Sequence, residues 1–372
     1  MLDKLEFANS GGVPSLFYII SEPEYETSTW YKHIIDGLHT ERRKKRYSVK
    51  FIQDFSELKS CRIADTDIIF VIGTNNDWIL NTVSNCKIFF SNRIIVLGNH
   101  NPPPGGNTYS VVSGDIEKDI MLLYSYLLSY DKKKIALYGI NPDSTSDNIR
   151  KKSFLAIGGS ENALFYNDKS LKDCYENFYN LISDYDGVIC TNDFAAISLL
   201  KNLKNSPAPF IVSCGGTLLA AFFSPSITRI KTNYEDFGKS AFTLARMIED
   251  DSINSINIKL KGKFIAGDTT DFLPLKSENT HTILNKQKTH DNFYADSEID
   301  EMLKVERLFN SCDVDDLLLL DRVLSGKKYA DIAKELFMSE NGIKYRMKNM
   351  FKICEKESKK EFIKMLKNHI KI

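Results

Sequence analysis

Residues Tyr329 to Ile353, YADIAKELFMSENGIKYRMKNMFKI, are the part of the chain best suited to meet a polyanion. Lys344, Lys348, Lys352 and Lys356 recur every four residues, a spacing that puts them along one face of a helix. Ammonium groups arrayed in this way donate hydrogen bonds to phosphate oxygens and base edges. Ile343, Met347 and Met350 fall at i, i+4 and i+7, which predicts an apolar stripe turned toward a core. Ser339 stands where its hydroxyl would accept a backbone N–H and start the helix. Before it, Ile332, Ala333 and Leu336 predict a shorter helix that ends at Phe337-Met338. Two helices broken by a turn, the second apolar on one side and cationic on the other, suit the major groove of DNA. A lysine row also serves as an ordinary solvated face. On the DNA reading, Lys344, Tyr345 and Lys348 would reach base edges, because the first turns of such a helix enter the groove deepest. Arg346, Lys327 and Lys328 would meet phosphates, and Ser339 and Asn341 complete the candidate set.

Position along the chain supports that choice. The 372 residues hold 49 basic and 49 acidic side chains, a neutral whole. From Arg322 onward, fourteen basic residues face six acidic ones, a surplus of eight. A neutral protein with a basic end implies one polyanion-binding module on an otherwise ordinary chain. The order Gly326, Ala330-Asp331-Ile332-Ala333, Leu336, Ser339, Ile343-Lys344 resembles the LuxR-type helix-turn-helix, shifted by one residue near Tyr329. Leu317 to Leu324 with Ser325-Gly326 matches that family's leading helix and its glycine stop, and Lys359 to Leu366 matches its last helix. The resemblance covers the last 60 or so residues and implies operator DNA as a partner. Gly342 stands where that family carries a threonine.

Length and composition set the frame for the elements that must position these residues. The chain is long enough for two or three domains. Seven scattered cysteines without a C-x-x-C pair imply reduced thiols and a cytoplasmic setting. No signal peptide or membrane-length apolar run is recognisable. Six dispersed histidines offer no metal-ligand spacing, and neither a P-loop nor a catalytic motif is present, so no metal, cofactor or enzyme activity is expected. The basic run Arg42 to Arg46 reads as a solvated helix end.

Residues 1 to 275 alternate strand-like and helix-like segments, which predicts βαβ units and parallel sheets in an α/β protein. The predicted strands are Ser15–Ile20, Val49–Ile52, Ile68–Ile72, Arg93–Leu97, Ser110–Val112, Lys134–Tyr138, Ala163–Tyr166, Gly187–Cys190, Pro209–Ser213 and Ile227–Lys231. Helices are predicted over Thr29–Lys45, Asp115–Ser129, Ser170–Ser183, Asp193–Lys201 and Tyr234–Glu249, among others. Most strands run into small or polar residues, as at Gly73-Thr74-Asn75, Gly139-Ile140-Asn141, Thr191-Asn192-Asp193 and Cys214-Gly215-Gly216. Open α/β sheets bind ligands beyond the carboxyl ends of their strands. Asn75, Asn141, Asp193 and Gly215 are therefore candidate ligand contacts. Such loops also exist simply to turn the chain.

Three segments resemble LacI-type effector domains. Asp147 to Phe154 (DNIRKKSF) is similar to their R-x-x-G-F element, with Ser153 in place of the glycine. Asp186 to Ala196 (DGVICTNDFAA) is similar to their D-A-I-x-x-x-N-D-x-x-A element. Ser224 to Ile230 with Phe237 to Ala241 is similar to their P-x-L-T-T-I…L-G-x-x-A element. The resemblance implies a two-lobed, periplasmic-binding-protein-like fold crossed three times, near Val112, Lys231 and Asn257. Lobe 1 would span about 12–112 and 232–256, and lobe 2 about 113–231 and 257–273. It implies a small effector, a sugar above all, in the interlobe cleft, with Arg150 and Asn192 as contacts. Arg150 offers a planar fork of donors, and Asn192 can donate and accept at once. The family's sugar-binding carboxylate falls near Gly215 and is missing. Trp30 or Tyr31, just past the first strand, would stack on a sugar face or anchor its helix.

Leu275 to Ser297 is polar and aperiodic and reads as a linker (276–297), followed by a helical DNA-binding domain over 298–372. Ile299, Leu303 and Leu308-Phe309 predict a short amphipathic helix at its start. LacI-type regulators carry their DNA-binding domain first, whereas here it would come last. The expected whole is a cytoplasmic, dimeric, ligand-responsive transcription regulator. A solute-binding protein of a transport system and a response-regulator-like protein are the alternatives.

Overall fold

The computed structural model describes residues 16–45, 47–90, 93–101, 106, 108–203, 209–248, 253–270 and 296–370. Most of the expected linker and Arg46 lie outside them. The first elements are β1 (Leu16–Ser21), α1 (Thr29–Lys45), β2 (Ser48–Ile52), α2 (Phe55–Ser60), β3 (Ile68–Ile72), α3 (Asn76–Phe90), β4 (Ile94–Leu97) and β5 (Ser110–Gly114). Next come α4 (Ile116–Ser129), β6 (Ile135–Ile140), α5 (Thr145–Ala156), β7 (Leu164–Tyr166), α6 (Leu171–Tyr179), β8 (Gly187–Cys190), α7 (Asp193–Asn202), β9 (Phe210–Gly215), α8 (Leu219–Phe222) and β10 (Thr228–Lys231). They are followed by α9 (Glu235–Met247), β11 (Asn257–Leu260) and β12 (Lys263–Ile265). The chain ends in α10 (Ser297–Ser311), α11 (Val314–Leu324), α12 (Tyr329–Glu335), α13 (Glu340–Ile353) and α14 (Lys359–His369).

Two compact units result. One holds residues up to Ser113 with Tyr234–Lys259, and the other Gly114–Asn233 with Leu260 onward. The first unit is built on a six-stranded sheet in the order β11-β5-β4-β3-β1-β2, with β1–β2, β1–β3, β3–β4 and β4–β5 parallel. Every residue of β3 and β4 is buried, as continuous apolar runs require when helices cover both faces of a parallel sheet. α3 packs Ile79, Val83, Cys86 and Phe90 on one face. On the other, Phe242 of α9 stacks on Tyr47 and meets Phe17 and Phe70 edge-on. α1 and α9 cross at Gly37 and Gly238. A Cβ at Gly238 would lie 2.2 Å from the Ile34 carbonyl oxygen, so only glycine lets the two backbones approach so closely.

The second unit has a sheet in the order β12-β10-β9-β8-β6-β7. β6–β7, β6–β8, β8–β9 and β9–β10 are parallel, and β12 runs antiparallel to β10. All ten predicted strands exist to within a residue or two. β11 and β12 lie in Asn257–Ile265, which alternates lysine with aliphatic residues on short, half-exposed sheet edges. α6 stops at Tyr179, four residues before its predicted end, and a 3-10 turn follows at Ile182–Asp184.

The helices after residue 296 belong to this second unit. α10 lies between α7 and α8 on one side and α13 and α14 on the other. Toward the sheet, Glu298 accepts hydrogen bonds from Ser198 Oγ (2.9 Å) and Lys201 Nζ (3.1 Å), Asp296 accepts the Leu171 N–H (2.9 Å), and Phe309 stacks on Phe222 at 4.4 Å. Toward the last helices, Glu301 meets His369 Nε2 at 3.1 Å, and Lys304 bridges Asp300 and Glu355, both at 2.8 Å. Short polar side chains cap these helices: Asp313 and Asp316 form a capping box on α11, and Ser358 caps α14.

Candidate functional site

In the second unit the candidate ligand residues lie at the carboxyl ends of neighbouring strands: Asn141 after β6, Asn192 and Asp193 after β8, and Gly215 at the end of β9. Asn192 caps α7: its Oδ1 accepts the Ala195 N–H (2.9 Å), while Nδ2 lies 3.3 Å from Thr191 Oγ1. Asn141 donates its backbone N–H to Asp147 Oδ2 (3.0 Å). Arg150 stands one turn into α5, and its Nη1 donates to Asp147 Oδ1 at 2.6 Å. Part of the guanidinium fork is thus already committed to a buried carboxylate. Burial pushes the Asp147 carboxyl up, and Arg150 pulls it back.

Asp193, a candidate ligand contact in sequence, is 1% exposed and spends its carboxylate on the protein itself. Its carboxylate accepts Ser213 Oγ (2.6 Å), the Thr217 N–H (3.0 Å) and Thr217 Oγ1 (2.8 Å). These bonds tie β8 to the loop after β9. Gly215 serves the same contact, because a Cβ there would lie 2.2 Å from the Asp193 carboxyl.

Asp119, one turn into α4, did not emerge from the sequence. It is 9% exposed and faces Gly262, Arg150 and Asp115. Burial pushes its carboxyl up to about 6, against the lowering pull of the Gly262 N–H and of Arg150. A single aspartate within an amphipathic helix carries no sequence signal of such an environment.

In the first unit, Trp30 and Tyr31 are half-buried. Trp30 packs against Tyr234 with ring centroids 6.5 Å apart, and Tyr31 Oη accepts from Ser21 Oγ at 3.1 Å. Asn75 caps α3 by accepting the Trp78 N–H (3.0 Å). Glu22, in the polar segment that ends β1, clasps the same loop: its Oε2 accepts the N–H groups of Thr74 (2.7 Å) and Asn75 (3.0 Å).

The C-terminal helices place the candidate DNA residues. Ser339 Oγ accepts the Gly342 N–H at 3.0 Å and starts α13, whose Ile343, Met347 and Met350 are buried. Lys344, Tyr345, Lys348 and Lys352 are exposed, as is Asn341. Tyr345 presents 68% of its surface. Lys344 pairs with Glu340 one turn earlier (2.7 Å), whereas Lys348, Lys352 and Lys328 form no ion pair among the described residues. Arg346 does not join this face. It bonds Asp313 (2.9 Å) and Asp316 (2.7 Å) at the start of α11, which raises its already high pKa further. Lys327 is bound to Glu335, and Lys356 lies 3.7 Å from Glu301. Arg346 and Lys327, expected at phosphates, therefore hold the helices to one another. Sequence spacing could not reveal this, because their partners lie in other helices.

No group of His, Cys, Asp and Glu side chains that could hold a metal ion occurs among the described residues, and none of their helices is long and apolar enough to cross a membrane.

The model of the periplasmic binding protein-like domain family matches residues 124–270. No curated protein matches the chain. The solved Lac repressor bound to ONPG in the repressed state is similar with a TM-score of 0.56 at 14% identity, covering 70% of this chain and 83% of that one. A complex of the transcriptional regulator CelR with cellobiose gives 0.55 at 14%, covering 70% and 86%. A LacI family regulator from Enterococcus faecium with bound ribose gives 0.52 at 18%, covering 70% and 100%. At such identities the shared property is the fold, a periplasmic-binding-protein-like pair of α/β units.

Proposed function

We propose that this protein is a DNA-binding transcription regulator, not an enzyme, that responds to a small polar ligand. The ligand, a carbohydrate on this reading, is taken up at the carboxyl ends of the second unit's parallel strands, where Arg150, Asn192 and Asn141 stand. Residues up to 275 form the sensor and residues 298–372 the helix-turn-helix reader. The reader docks on duplex DNA through α13, in a dimer whose two copies meet two half-sites. The observation that carries the reading is the α13 face: Lys344, Tyr345, Lys348 and Lys352 stand in solvent directly above the buried Ile343, Met347 and Met350. α12 and the Ser339 cap precede it as a helix-turn-helix requires. The likeness to regulators solved with cellobiose and ribose supports the choice of ligand class.

The test is the affinity of the full chain for duplex DNA over a range of salt concentrations. Lys344→Ala with Lys348→Ala is expected to abolish binding near physiological salt. The melting temperature should stay close to wild type. Unchanged affinity in the double variant overturns the assignment of α13.

A further inference from the structure

We propose that Glu306 is the positioning residue that couples the loop Gly215–Leu219 to the DNA-reading helices; this rests on the function proposed above. The loop is held from both ends by buried carboxylates. On one side Asp193 binds the Thr217 N–H and hydroxyl. On the other, Glu306 of α10, 1% exposed, accepts the Leu218 N–H through Oε1 (2.8 Å) and the Leu219 N–H through Oε2 (2.6 Å). Thr217 Oγ1 also accepts the Ala220 N–H (3.2 Å), so both grips act on one short piece of backbone. Asn310, one turn along α10, donates to Glu306 Oε1 at 2.9 Å and to the Glu306 carbonyl at 2.8 Å.

Each side of this arrangement leads somewhere. Asp193 follows Asn192 at the start of α7, and Gly215 packs directly on its carboxyl, so a ligand at these strand ends bears on the loop. Glu306 sits on the helix whose other face holds α13 and α14 through Glu301 and Lys304. A carboxylate with both oxygens bonded to backbone N–H groups fixes direction as well as distance. A displacement of the loop by a fraction of an ångström must then either break two charge-assisted bonds in a buried site or carry α10 along. Packed interiors favour the second outcome, because they respond as discrete arrangements. An apolar residue at 306 would bury the same area without this constraint.

The test uses the full chain and two readouts: melting temperature, and affinity for a duplex that the wild-type protein selects from a random-sequence pool. Glu306→Gln keeps the shape but turns one acceptor into a donor that faces a backbone N–H. Thr217→Val removes the hydroxyl grip on Asp193. Each variant is expected to change affinity by about threefold or more, and the double variant by no more than the larger single effect. The surface control Lys172→Met, which removes an exposed pair on α6, should leave affinity unchanged. If Glu306→Gln lowers the melting temperature while affinity stays at wild type, Glu306 only supports packing and the proposal is overturned. Should Glu306→Gln not fold, Asn310→Ala replaces it in the same cycle, and strictly additive effects with Thr217→Val overturn the coupling. A wild-type protein that selects no duplex defeats the DNA-reading assignment itself, an outcome distinct from loss of coupling.

Discussion

At the scale of single residues, charge placement depends more on the partner than on residue type. Lys344, Arg346 and Lys348 look equivalent in sequence. Two of them stand in solvent, whereas Arg346 closes onto the aspartates that begin α11. Arg346→Ala is therefore expected to lower the stability of the helical region by about 1 kcal/mol, the worth of a partly exposed ion network. It should alter DNA affinity less than Lys348→Ala; comparing urea denaturation with DNA titration checks both. Asp119 gives a pH signature. Its carboxyl rises from the ordinary 3.8 to about 6 in the fold. The folded chain thus holds this proton more tightly than the unfolded chain, and stability falls as pH rises from about 4 to about 6. Beyond that the loss is complete, on the order of 2–3 kcal/mol. Asp119→Asn can still accept the Gly262 N–H and is expected to flatten this decline between pH 4 and 7. An unaltered pH profile of the melting temperature would contradict the assignment. The roles of Glu22, Asp119 and Glu306 were not legible, because the burial of each acid depends on distant backbone and no local pattern marks it. Asp193 shows the converse: it sits in a recognisable motif, yet its bonds turn inward.

At the scale of elements, the local physics is legible. Continuous apolar runs such as IIFVI predict doubly covered strands, and β3 is buried along its whole length. The 3.6-residue period of Ile343, Met347 and Met350 predicts the buried face of α13. Ser339, read as a cap, accepts the Gly342 N–H, and Ser339→Ala should cost about 1 kcal/mol of stability. What period and propensity miss are short edge strands and close helix contacts. β11 and β12 gain their partners only when the chain returns to each sheet. The α1–α9 crossing depends on Gly37 and Gly238, which in sequence look like weak points in two helices. Gly238→Ala would push a methyl group into the Ile34 carbonyl and is expected to destabilise by about 1–3 kcal/mol. A urea midpoint equal to that of wild type would show that the helices separate freely.

At the scale of the whole molecule, the alternation of strands and helices marks an α/β architecture, and the LacI-like segments of the second unit lie largely within the region matched by the family model. The attachment of the last helices was not legible. The stretch 276–297 reads as a linker and lies almost wholly outside the described residues; beyond it, α10 is bonded to α6, α7 and the start of α8 by Asp296, Glu298 and Glu306. The last helices therefore share a packed unit with one sheet; on the proposed function, a ligand at the strand ends would have a physical route to DNA. Reciprocity requires that such a ligand and DNA alter each other's affinity by the same factor. The most direct measurement is DNA affinity of the full chain with and without a carbohydrate chosen because it raises the melting temperature. A change of about fivefold or more in affinity is expected, in either direction. A sugar that stabilises the protein but leaves DNA affinity untouched would contradict a ligand-responsive regulator.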